Sequence, residues 1–251
     1  MKYLTKEWYE LCQRTSFHLL LEEESQAETF SEAFFEQLYS SELNKWLHHQ
    51  EEVASIMQAN GTIEPFNKDN EVIKFNDAFM YNQEHLKKSL PETILNQIVD
   101  LRVFTLTRAS RKVINAVAQF CEDNQRVVDT TINNCMKYHK EASLSLDKEI
   151  VENFRFHDCR IIKSILNEKS ITLLLDNSGG FASIDEVIFE NVTIMKQDAE
   201  LDKSWWLYEE VYKVNDKYEF HMLLENQDLG LFDFIISADQ VLFRRQSSNV
   251  E

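Results

Sequence analysis

The sequence predicts an α+β chain, with an all-helical domain over 1–146 followed by an antiparallel β-sheet domain over 150–247. Three observations predict it. From Pro91 to about Ala142 there is no Gly and no further Pro, and apolar residues recur at helical spacing. After Ser143 the period changes to short runs rich in β-branched and aromatic residues. Within those runs Ser204–Asn226 reads as one dense β-hairpin.

About six helices are expected. Thr5 is placed to cap the first, with Trp8, Leu11, Cys12, Thr15 and Leu19 on one face. Ser25 with Glu28 fits a capping box that opens a second helix through Phe30, Phe34 and Leu38, and Ser40-Ser41 reads as a break. A third runs from about Glu42 to Gln58 and stops at Asn60-Gly61. Glu64–Asn67 is a connector, and Val72, Phe75, Phe79 and Leu86 mark a fourth helix. Ser89–Glu92 joins a capping box to a first-turn proline and starts a helix to about Thr105. A long last helix, capped near Thr107, carries Val117, Cys121, Val128, Ile132 and Cys135 on its apolar face. Phe154–Leu166, Ile171–Leu175 and Val187–Met195 then read as strands.

The totals exclude several functions. Formal net charge is −17, which opposes binding to nucleic acid and to anionic membrane surfaces. No apolar run approaches the roughly 18 residues needed to cross a bilayer. The first residues lack a signal core, and a cytoplasmic location is expected. Cys12, Cys121, Cys135 and Cys159 include no CxxC. Cys121 and Cys135, on one helix, are roughly 21 Å apart and too distant to bridge. No P-loop, GxSxG elbow, kinase set or GxGxxG appears, and no cofactor is implied.

The hairpin is the best candidate for a site. With Asn215-Asp216 as its loop, Tyr212 pairs with Glu219, Val211 with Phe220, Glu210 with His221 and Glu209 with Met222. Leu207, Val211, Tyr218, Phe220, Met222 and Leu224 then form a core face. The opposite face carries Trp206, Tyr208, Glu210 and Tyr212 on one strand and Glu219, His221, Leu223 and Glu225 on the other. Its rings suit a recognition surface, with Trp206, Tyr208, Glu210, Tyr212 and His221 as binding residues. Glu210 and His221 also suit an acid–base or metal pair, but a plain cross-strand polar pair on a half-exposed sheet is the favoured account of them. His157 and Cys159, on one face of a strand, are the candidate metal ligands, against ordinary packing. His48 with Glu52 and His18 with Glu22 read as exposed helix pairs.

The blocks MKYLTKEWYELCQ, DAFMYNQEHLKKSLPETIL, DLRVFTL, FHDC, WWLYEE and YEFHMLL, in that order, span almost the whole chain. Together they resemble a family of uncharacterised proteins of Bacillus-type Firmicutes known as domain of unknown function 4085. The resemblance implies a cytoplasmic bacterial protein and brings no catalytic residue with it. It marks His157, Asp158, Cys159, Glu210 and His221 as lying in family-like blocks. The expected function is a non-enzymatic acidic interaction module, an inhibitor, immunity-like or adaptor protein that meets a protein partner through the aromatic face, with the acidic surface suited to a basic one. The alternatives are a metal- or small-ligand-binding protein, enzymatic or not, with its site in the β domain, and an acidic mimic of nucleic acid that binds a basic protein.

Overall fold

A computed structural model describes residues 1–59, 61, 65–180 and 182–245 of the chain. Asn60, Glu64 and residues 246–247, which figured in the expected boundaries, lie outside the described residues. The fold is α+β: helices fill the N-terminal half and an eight-stranded antiparallel sheet the C-terminal half. Contacts divide the chain into two compact units, residues 13–125 and residues 1–12 with 126–251. This division does not follow the helix-to-strand change, because the first residues and the end of the long helix group with the sheet.

The 13–125 unit begins with two short 3-10 turns and a two-residue strand β1 (Glu22–Glu23), which pairs in parallel with β2 (Arg108–Ala109). Ser25 and Glu28 therefore open a 3-10 turn, and Ser31 caps the α-helix through Phe34 N–H. Helix α2 (Glu32–Ala59) runs straight through Ser40-Ser41, so the two helices expected there are one. Serine inside a helix costs only about half a kcal/mol, and the apolar stripe outweighs it. Tyr39 packs edge-on against Phe75 and Phe79 of α3 (Lys68–Ser89). The segment after Pro91 breaks into α4 (Glu92–Leu95) and α5 (Leu101–Thr105), because Asp100 caps a fresh turn. Leu90, Ile94, Phe104, Val113, Val117 and Cys121 form this unit's core. His48 pairs with Glu52 as expected, whereas Glu22 pairs with Arg108.

The second unit holds α1 (Lys6–Cys12), the C-terminal part of α6 (Arg111–Ala142), α7 (Lys148–Asn153) and the sheet. Its strands are β3 (Cys159–Leu166), β4 (Ser170–Asp176), β5 (Glu186–Glu190), β6 (Thr193–Gln197), β7 (Trp205–Val214), β8 (Lys217–Glu225), β9 (Leu231–Ala238) and β10 (Gln240–Arg244). Their order is β10-β5-β4-β3-β7-β8-β9-β6, yet β5 runs into β6 and β9 into β10 almost without a loop. The register is continuous across both breaks. Glu190 pairs with Gln240 and Thr193 with Ser237, which leaves Asn191 opposite Asp239. β5–β6 and β9–β10 are therefore two bent strands in one ladder. That ladder closes the sheet into a ring of β3, β4, β5–β6, β9–β10, β8 and β7, a small antiparallel barrel. Phe189, Trp206, Phe220, Met222, Phe234 and Ile236 fill its interior without solvent exposure. Ile150 of α7 and the adjacent Phe154 join the same core.

Candidate functional site

β7 and β8 pair as their turn requires: Tyr212 with Glu219, Val211 with Phe220, Glu210 with His221 and Glu209 with Met222. Asn215 takes φ 56° at the turn, a conformation asparagine tolerates. A bulge interrupts the pairing between Trp206 and Tyr208. The extra residue, Leu207, turns Trp206 to the barrel interior, where it is fully buried among Phe154 and Phe156. The expected face is corrected accordingly: Trp206 belongs to the core side, and Tyr208, Glu210 and Tyr212 to the other.

That other side is covered by the chain's own residues 1–12 and by α6. Tyr208 meets Trp8 edge-on at 5.0 Å between ring centroids and stands 4.8 Å from the His157 ring. Trp8 donates its indole N–H to Val128 O of α6. The Glu210 carboxylate accepts backbone N–H bonds from Lys2 (2.7 Å), Tyr3 (2.9 Å) and Leu4 (2.6 Å), and the Tyr212 hydroxyl donates to it as well. One buried carboxylate thus satisfies four donors and fixes the N-terminal segment on β7. Tyr212 lies 5.3 Å from the Tyr138 ring and 4.9 Å from His221. His221 Nε2 is 3.2 Å from Glu219, its Nδ1 is buried without a partner, and burial pushes its pKa down.

His157 does not lie in a strand. It precedes β3 in a turn where Asp158 takes φ 64°, and its Nδ1 hydrogen-bonds Leu207 O. Cys159 points into the barrel core, and burial pushes its thiol up to about 11. The turn thus sends Cys159 to the core side and His157 to the Tyr208 side. Among the described residues no group of three or more His, Cys, Asp or Glu side chains is placed to hold a metal ion. No described helix is long and apolar enough to cross a membrane.

The arrangement that sequence reasoning missed is on the core side of β7. β3 pairs with β7 only at Cys159–Trp206 and Arg160–Trp205. From Tyr208 to Val214 no described strand pairs with the edge of β7 away from β8. A cleft of about 510 Å³ lies beside this edge. Its walls are mostly apolar: Leu4, Met136, Leu146, Ile150, Phe154 and Val211. Glu209 lines it, and its Oε2 is buried without a hydrogen-bond partner. Burial pushes this carboxyl up to about 7, against the opposing pull of the Trp206 indole, the Phe156 backbone N–H and Arg155. The indole N–H itself makes no hydrogen bond. Alternation had already placed Glu209 between core-facing neighbours, and a carboxylate at an inward position was the available signal.

No curated protein and no solved structure matches the chain. A family model described as "Protein of unknown function (DUF4085)" matches residues 67–231, a span that includes β7, β8 and every cleft residue named above except Leu4. The chain belongs to the DUF4085 family.

Proposed function

We propose that the β-sheet unit is a receptor for a small, mostly apolar ligand held in the cleft beside β7. One observation carries the reading: mostly apolar walls and the carboxyl-bearing side chain of Glu209 line the same cleft. The volume falls in the range of small-molecule sites, and such sites pair apolar walls with a few polar groups. A protein partner on the aromatic face competes with residues 1–12, which already occupy Tyr208 and Glu210. That interface is the weaker reading. A cytoplasmic location is part of the proposal and is supported by four free cysteines.

The test is titration with a neutral solvatochromic naphthalene dye, in the wild type and in Ala142→Trp. Ala142 lines the cleft from the end of α6. The wild type should bind one dye saturably, and the tryptophan should weaken binding at least tenfold with an unchanged circular dichroism spectrum. Dye binding that never saturates, or that ignores the substitution, overturns the proposal.

A further inference from the structure

We infer that the ligand of this cleft is a monocationic amine with an apolar body, its ammonium group docked on Glu209. The inference rests on the receptor reading above and names the chemistry of its ligand. Of the two carboxylates in the lining, Glu210 is committed: Lys2, Tyr3, Leu4 and Tyr212 all donate to it. Glu209 is less committed: the Trp206 indole and the Phe156 backbone N–H lie near it and offset only part of the effect of burial, and its Oε2 has no partner at hydrogen-bond geometry. An ammonium brings three donors and a charge. It therefore pairs the carboxylate, whose ionisation is otherwise penalised by burial.

The strand edge adds to this. β7 from Tyr208 to Val214 has no described strand on its free side, so main-chain carbonyls are available for the remaining N–H groups. Other charged and titratable groups also face the cleft. His139 and Lys140 come from α6 with Cys135 and Tyr138, Arg155 follows α7, and Glu210 neighbours Glu209 on β7. His139, Lys140 and Arg155 are all exposed, so solvent screens them. Glu209 lies deeper, where a charge pair is screened least. The chain's net charge of −17 further favours the approach of a cation.

A matched series separates the possibilities: n-hexylamine, n-hexanol and hexanoate, titrated calorimetrically into the full chain at pH 8.5 and 5.5. The amine stays protonated throughout, since alkylammonium groups titrate near 10. The wild type should prefer the amine to the alcohol at least tenfold at pH 8.5. That ratio should fall severalfold at pH 5.5, as Glu209 takes up its own proton. In Glu209→Gln the ratio should approach one at both pH values. An amine preference that survives Glu209→Gln, or tighter binding of hexanoate, overturns the inference. If Glu209→Gln does not fold, the wild-type ratio decides, and a ratio that is flat with pH overturns it. Binding of hexanol with no amine preference leaves the receptor reading standing and removes this one. Binding of none of the three removes both.

Discussion

Glu209 and Glu210 are neighbours in sequence, and a strand sends them to opposite faces. Glu210 meets four donors. Glu209 meets apolar walls, and burial pushes it up to about 7 from an ordinary value of 4.5. Its folded pKa lies above its unfolded one, so the folded chain holds the proton more tightly. Stability must then fall as pH rises from about 4.5 to about 7, and the loss persists above that window. For a shift of this size the penalty is at most about 3 kcal/mol, reduced by the partial exposure that Glu209 retains. Glu209→Gln removes the titrating group while keeping its shape. The variant should gain stability over the wild type at pH 8 and gain little at pH 5, as read by urea unfolding. An equal difference at both pH values would show that burial does not perturb this carboxyl.

At the scale of elements, the N-terminal segment behaves as a strap whose clasp is Glu210. Three consecutive N–H groups at Lys2, Tyr3 and Leu4 end on one side chain, so the segment depends on it more than on α1. Helix α1 is only seven residues long, too short to persist without tertiary contacts. Glu210→Gln keeps the size but loses the charge and one acceptor oxygen, which weakens charge-assisted bonds roughly twofold. Hydrogen exchange at the amides of residues 2–4 should accelerate at least tenfold, while exchange in β4 and β5 is unchanged. Unaltered protection at residues 2–4 would place the clasp elsewhere. The strap also shows what the sequence made legible. The β7–β8 register could be counted outward from Asn215-Asp216, because a two-residue loop leaves no freedom in pairing. The bulge at Leu207 could not, because Trp206, Leu207 and Tyr208 are all suited to either face. Nothing local in MKYLTKEWYE reveals that Glu210, more than 200 residues away, takes up its amides.

At the scale of the molecule, the barrel exists because two strands bend together. An α+β reading followed from local periodicity alone, but ring closure is a matter of pairing between distant segments and leaves no periodic mark. The bend itself does leave one. Asn191 takes φ 53° between β5 and β6, opposite Asp239 between β9 and β10. Only glycine, asparagine and aspartate adopt that conformation cheaply. A β-branched side chain there is strained by about 1–3 kcal/mol, and the strain falls on the ladder that closes the ring. Asn191→Val should therefore lower the unfolding free energy measured in urea by that amount, whereas Asn191→Gly, which keeps the left-handed conformation open, should change it by only a few tenths of a kcal/mol. The cleft depends on the ring being closed around its core, so the valine variant should also bind the naphthalene dye more weakly than the glycine variant. If valine and glycine proved equivalent in both measurements, Asn191 would not be the residue on which closure turns, and the constraint would have to lie in the side-chain packing of Phe189 and Ile236 on either side of the bend.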